Sequence, residues 1–412
     1  MKNNKQFLFI ISLLCFVTLS TIAQNQKVIS GNVTNNKTGE RIPFATISLK
    51  QKLVGTNSNE NGVFEFHFPQ EAANDSIVIS CLGFATRTFF IENIQSPLEV
   101  KLEPFSFQLA EVVVRPLLPT DYLRMALRKV KENYPSKPFQ SQAYYREQEF
   151  ENNKIILQNE GIFQTYYPSY LDTVRNQHQL FLFRKADKQQ LAFMHDKAER
   201  KHQKKINKAV KEGKDTSAIG SDFLNIGYGG PEAILHLDFI KDKKSFLDSM
   251  MFKKYNYSFG GSSTYEGKEL MIITFEALTK IDDLKPKGKI YLDVESWAIT
   301  NIEFNSEIEI PLLIRPIIFT MGYGADNLKV EGKIQYHEVD NKWYPKDFHW
   351  TFTGSLTKRH WFSANEHADL NISQLLFINK IETKNVTAIA VNKRFDSKKK
   401  FEIGRASCRE RV

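Results

Sequence analysis

The residues Ile42-Pro43-Phe44-Ala45-Thr46-Ile47-Ser48-Leu49 alternate in period two, and Val63-Phe64-Glu65-Phe66-His67-Phe68 repeats the pattern. Such alternation places every second side chain on one face of a half-buried strand. Between Val54-Gly55-Thr56-Asn57 and the second run, Glu60-Asn61-Gly62 predicts a hairpin with a two-residue turn in which Asn-Gly supplies the positive φ values. Working outward, Val28-Ile29-Ser30-Gly31-Asn32-Val33 precedes the turn-rich Asn35-Asn36-Lys37-Thr38-Gly39-Glu40, so a first hairpin is expected there. Val54-Gly55-Thr56-Asn57, Ser76 to Ser80 and Leu98 to Leu102 supply further strands. Six or seven short strands within roughly 90 residues, separated by turns, predict an antiparallel sandwich.

The ordered set Gly31, Thr38-Gly39-Glu40, Pro43-Phe44-Ala45-Thr46-Ile47, Gly55-Thr56, Asn61-Gly62-Val63-Phe64 and Gly83-Phe84 resembles the carboxypeptidase regulatory-like domain. Leu109-Ala110-Glu111-Val112-Val113-Val114 is similar to its exit segment. The resemblance implies a prealbumin-like, Ig-like antiparallel β-sandwich over residues 27–103, of a kind found at the front of envelope proteins and TonB-dependent receptors. It implies no catalysis, since the peptidase needs zinc ligands on a separate large domain.

Composition fits a chain that buries a core. The 412 residues are 42% hydrophobic and 25% charged, with 32 Phe, enough for two or three domains with real cores. Lys2 and Lys5, the apolar run Phe7 to Leu19 and Thr21-Ile22-Ala23 read as a signal peptide over 1–23. That run is shorter than the roughly 20 residues that span a bilayer. Residues 403–412 resemble a translated sequencing adapter, so the gene is expected to continue beyond Glu402. Setting both ends aside removes five cations and one acid and lowers the formal charge from +9 to +5. One cysteine, Cys81, is then left, with no partner for an internal disulfide. Beyond Ala23 the longest apolar run, Ile308 to Met321, is broken by Pro311, Arg315 and Pro316.

Prolines 104, 116 and 119 mark a linker over 104–119, and an uncharacterised α+β domain over 120–402 follows. Thr120 is positioned to cap a helix whose Leu123, Ala126, Leu127, Val130 and Tyr134 share one face, with Pro135 ending it. Gln140 to Tyr170 is extended, and from Lys254 onward strand patterns recur: Tyr255/Tyr257/Phe259, Leu270 to Phe275 after Glu266-Gly267, and Phe348/Trp350/Phe352. These predict a large curved antiparallel sheet, so the fold class is mainly β. A leading helix followed by such a sheet resembles the periplasmic lipoprotein-carrier fold. The block is also similar to an uncharacterised region that accompanies this sandwich in other secreted envelope proteins. A basic insertion over 184–214, with eleven Lys/Arg against four acids, reads either as a patch for acidic glycan or lipid headgroups or as a solvated helix.

Motifs of chemistry are sparse. Asn57 to Phe68 begins like a calcium loop but has Phe68 where a bidentate Glu is required. Gly227-Tyr228-Gly229-Gly230-Pro231 lacks the Lys-Ser/Thr ending of a phosphate loop and leads instead into a helix over Glu232 to Ile240. His337, His349, His360 and His367 have no metal-ligand spacing, and His349 alternates away from the Phe348/Trp350/Phe352 face. No Gly-x-Ser-x-Gly elbow occurs, and Cys81 reads as a small core hydrophobe. No catalytic, cofactor or metal residue is assigned. The positive feature is aromatic: Trp297, Trp343, Tyr344, Trp350 and Trp361 cluster in the last third and form a candidate ligand surface, the alternative being an ordinary sheet core. The expected function is non-catalytic binding or assembly in the cell envelope, periplasmic or at the outer membrane. Its partner is an envelope protein, a glycan or a lipid, and nucleic acid would be out of place. A lipid or lipoprotein carrier and an unrecognised hydrolase are the alternatives.

Overall fold

A computed structural model describes residues 26–395 except 51, 53, 106–116, 173, 186–202, 205, 214–229, 282–283, 311–314, 321 and 361–363. It separates into two compact units, Met1–Pro104 and Phe105–Val412.

The first unit holds β1 (Gln26–Asn35), β2 (Thr46–Leu49), β3 (Gly55–Asn57), β4 (Val63–Pro69), β5 (Ser76–Ser80), β6 (Arg87–Phe90) and β7 (Leu98–Leu102). They form two sheets, β4-β1-β7 and β3-β2-β5-β6. All pairs are antiparallel except β1 with β7, which run parallel. Strand β4 shows the expected alternation, with Phe64, Phe66 and Phe68 inside beside Val33, Ile47, Ile77, Ile79 and Val100. Burying each such side chain contributes about 1.5–3 kcal/mol. Cys81 is half-buried against this core. Gly31 is needed where β1 meets β7, because a Cβ there would collide with the Leu98 carbonyl and the Phe64 ring.

Two expected hairpins prove to be connections between sheets. After β1 the chain does fold back, with a Thr34–Arg41 bridge flanked by the Ile42 amide on the Val33 carbonyl and the Asn35 amide on the Glu40 carbonyl, but β2 itself then joins the other sheet, and β3 and β4 likewise lie in different sheets. The Asn61-Gly62 turn is likewise not a two-residue hairpin. Gly62 alone of the pair has positive φ, at 70°, and Asn59 Oδ1 closes the loop by accepting from the amides of Asn61 and Val63 at 2.9 and 3.0 Å. An asparagine side chain that mimics a backbone acceptor allows this wider turn to leave its sheet.

In the second unit, α1 (Pro119–Arg128) and α2 (Val130–Asn133) replace the single predicted helix, broken at Lys129. Pro119 occupies the first helical position, and Asp121 caps by accepting from the Leu118 amide at 3.0 Å, a role the sequence suggested for Thr120. Two further short helices, α3 (Gly230–Leu235) and α4 (Phe239–Asp242), stand where one helix was expected. Of the basic insertion, most lies outside the described residues; 203–204 and 206–211 are helical.

The sheet has ten antiparallel strands: β8 (Phe139–Glu151), β9 (Lys154–Tyr167), β10 (Gln177–Lys185), β11 (Tyr255–Tyr265), β12 (Lys268–Ala277), β13 (Lys287–Asp293), β14 (Ile299–Glu307), β15 (Tyr323–Val339), β16 (Lys342–Lys358) and β17 (Glu366–Glu382). Their order is β10-β9-β8-β17-β16-β15-β14-β13-β12-β11. Turns at Asn152-Asn153 and Glu266-Gly267 have positive φ at both positions, matching the right-handed twist of the strands they join. One face is covered by the helices and loops. Phe239 meets Phe304, Phe246 stacks on Phe275, Tyr134 meets Tyr336, and Phe395 meets Phe163. Along β8, buried Ala143, Tyr145 and Glu147 point to this covered face, while Tyr144 and Arg146, half-buried, point to the opposite, open face.

Candidate functional site

Register partners on the open face form one row that crosses all ten strands. From β11 to β10 it reads Ser258, Thr274, Lys289, Glu303, Lys333, His349, Leu375, Arg146, Glu160 and Arg184. Neighbouring strands lie about 4.8 Å apart, so each charge faces an opposite or neutral group at that spacing. Two similar groups emerge. Glu303 lies between Lys289 and Lys333 and accepts from Tyr291 Oη at 2.9 Å. Glu160 lies between Arg146 and Arg184 and accepts from Tyr144 Oη at 2.8 Å and from Arg184 Nε at 2.8 Å.

Electrostatics follow from this arrangement. Burial alone would raise the Glu160 carboxyl, but hydrogen bonds from Tyr144, Arg184 and Gln158 outweigh it and hold the group below the usual range. Burial and the adjoining Glu303 raise the Tyr291 phenol, which therefore stays a donor. Between the two groups, His349 is held down to about 4, first by burial and then by the cations Arg146 and Lys333, so it is neutral near pH 7. Nearby Lys346, at a β16 bulge, is buried and lowered to about 8, with Glu266 and Asp347 opposing the shift. Its ammonium lies 4.8 Å from the Phe377 ring centre.

On β11–β16 the open face holds a trough of about 730 Å³. Three lysines (Lys287, Lys289, Lys333) and three glutamates (Glu276, Glu303, Glu331) line it, with Asn256, Asn305, Thr274, Thr351 and His349. Two glycines in its lining sit where a side chain has no room. The Phe304 ring lies against Gly332, and a Cβ at Gly288 would collide with the Glu303 carbonyl. Donors and acceptors balance, which suits a polar ligand that hydrogen bonds along its length.

The aromatic residues picked out in the sequence lie elsewhere. Trp343 and Tyr344 are buried, the first beneath the Lys268 ammonium and the second edge-on to Phe139. Trp350 is half-buried and donates to Gln374 Oε1 at 2.6 Å, while Trp297 packs on Tyr122 of α1 at 5.2 Å. Trp361 lies outside the described residues. The four that are described do not line the trough. Of the four histidines, His337 bonds Glu266, His360 bonds Glu366 at 2.7 Å, His367 bonds Thr357 at 3.1 Å, and His349 enters the trough. Among the described residues, no three His, Cys, Asp or Glu side chains gather as a metal set. Residues Arg146 and Glu160 carried no local signal; only pairing across distant strands brings them into line with His349.

A second polar cluster lies under the covered face. Asp238 is buried, caps α4 by accepting from the Lys241 amide at 3.1 Å, and accepts from Tyr170 Oη and Tyr336 Oη.

Among known proteins, TonB-dependent receptor P3 of Formosa agariphila is 27% identical over 113 residues, which is 27% of this chain and 11% of the receptor. The chain thus matches about a ninth of that relative's length. Among solved structures, a DUF1329 family protein from Desulfovibrio piger aligns with a TM-score of 0.24 and 7% identity, covering 65% of this chain and 94% of the other. A Bacteroides fragilis protein, described as membrane-associated and of unknown function, aligns with a TM-score of 0.16 and 11% identity, covering 86% and 98%. No helix among the described residues is long and apolar enough to cross a membrane. Residues 29–114 match the family model of the CarboxypepD_reg-like domain, and the amino-terminal sandwich is such a domain.

Proposed function

We propose that the chain is a non-catalytic binding or assembly protein of the cell envelope, acting in the periplasm or at the outer membrane. In this reading the trough of the ten-stranded sheet holds a polar, extended ligand of the glycan class. The observation that carries it is the balanced row Lys289–Glu303–Lys333–His349 along the trough. An acyl chain would strip those charges of water and offer them no hydrogen bond in return, so this lining favours a glycan over the lipid-carrier alternative. The amino-terminal domain, shared with a TonB-dependent receptor, supports the envelope setting.

Native mass spectrometry of the purified chain, followed by titration with neutral and acidic oligosaccharides, tests this. Saturable oligosaccharide binding that Lys333→Gln and Glu303→Gln each weaken about tenfold, a loss of about 1.4 kcal/mol, is the expected result. A retained lipid-sized mass with no oligosaccharide binding would move the function to the carrier reading, and turnover of a chromogenic glycoside or ester would make the chain a hydrolase.

A further inference from the structure

The connection between β14 and β15 is unusually apolar. From Ile308 to Met321, nine of fourteen residues are Ile, Leu, Phe or Met, and Glu309 and Arg315 are the only charges. Its described part includes α5 (Arg315–Thr320), where the Phe319 side chain is 62% exposed. A side chain of that size in water is a cost of about 1.5–3 kcal/mol that burial elsewhere would recover.

Cations gather around it. The Arg359 amide donates to the Gly322 carbonyl at 2.7 Å, which brings the start of the β16–β17 connection beside α5. The Arg359 guanidinium then lies 4.5 Å from the Phe319 ring centre, and the Lys358 ammonium 3.9 Å from that of Tyr323. Exposed Arg315 donates to the Ile310 carbonyl at 2.9 Å. The nearby acid Glu309 is engaged by Lys280 and Arg315, and both ion pairs are half-exposed.

We propose that this end of the sheet docks on an anionic lipid surface. Phe319 enters the boundary between headgroups and acyl chains, and Arg315, Lys358 and Arg359 meet the lipid phosphates. Exposed aromatic rings with cations beside them are the chemistry of a membrane interface. At six residues α5 falls far short of the roughly 20 needed to cross, so the contact made by Phe319 lies on the membrane and not through it. This surface is independent of the trough and of what the trough holds.

The test is flotation of the full chain with phosphatidylcholine vesicles, with and without phosphatidylglycerol. The wild type is expected to float with the phosphatidylglycerol vesicles and to lose binding as salt rises. Because residues 1–23 are themselves apolar, substitutions are compared within the same chain. Phe319→Asp should lower the bound fraction about tenfold and Arg359→Gln about threefold. A Phe319→Trp chain should gain emission that brominated lipids quench. Equal flotation of wild type and Phe319→Asp, or Phe319→Trp emission that brominated lipids leave unchanged, would overturn the proposal. Self-association in solution that Phe319→Asp abolishes would also overturn it, by showing that a second copy covers the patch.

Discussion

Tyr336 on β15 donates its hydroxyl to Asp238 Oδ1 at 2.7 Å, joining the covered face of the sheet to the first turn of α4. Tyr170 donates to the other oxygen at 2.8 Å. Burial raises the Asp238 carboxyl above its ordinary value, even though both tyrosines, the Lys241 amide and the Lys241 charge oppose the shift. Removing one donor, by Tyr336→Phe or Tyr170→Phe, should cost about 1–3 kcal/mol, read from urea unfolding midpoints.

The sign of the Asp238 pH effect follows from that raised value. The folded form holds its proton more tightly than the unfolded chain, whose carboxyl titrates near 3.9. Its contribution to stability is therefore complete below about pH 4 and is lost as pH rises through the folded value. Asp238→Asn should lose less stability than the wild type between pH 4 and 7. An unchanged difference between those two pH values would show that Asp238 is not the titrating group.

His349 and His178 act in the opposite sense. Burial depresses both, to about 4 and about 3, below the unfolded value near 6.5. Their contributions are present above about pH 6.5 and fade as pH falls through the folded values, and for His349 the full effect is about 3 kcal/mol. His349→Gln should be more resistant to acid than wild type when unfolding is followed at pH 4.5 and pH 7.

How much of this was legible in the sequence depends on range. Period-two alternation was enough to set His349 opposite Phe348 and Trp350, and the glycine and turn signals were enough to identify the sandwich. Short-range pattern could not pair strands. Bulges at Gln335/Tyr336 and Ile378/Lys380 reset the register, and a one-residue slip would send every following side chain to the other face. Arg146 and Glu160 therefore looked like ordinary strand residues. The tryptophans carried a strong signal of another kind, since large aromatic side chains mark buried sheet as readily as binding surface.

The trough floor can be tested by size. Gly332→Ala should cost about 1–3 kcal/mol, because the new methyl group meets the Phe304 ring. Phe304→Ala should relieve that clash, so the double variant should fall short of the summed losses by more than about 0.5 kcal/mol in a thermodynamic cycle.

Trp343 distinguishes core from surface. Its Nε1 is buried with no hydrogen-bond partner, so Trp343→Phe should cost less than about 1.5 kcal/mol, while Trp343→Ala should cost about 3–5 kcal/mol. Neither should change oligosaccharide affinity at equal folded fraction. A selective loss of binding in Trp343→Phe would return this residue to the ligand surface.

The pairing of β8 with β17 has a further consequence, in the order of assembly. Gln374 donates to Tyr145 Oη across this seam, and the two residues are 229 positions apart. The β8–β9–β10 block can form early, but one edge of β8 stays open until almost the whole domain has emerged. Contacts of such separation slow folding, and an open edge recruits other strands. Chains cut short before Glu366 should therefore aggregate, whereas chains that include β17 can close the seam and stay dispersed.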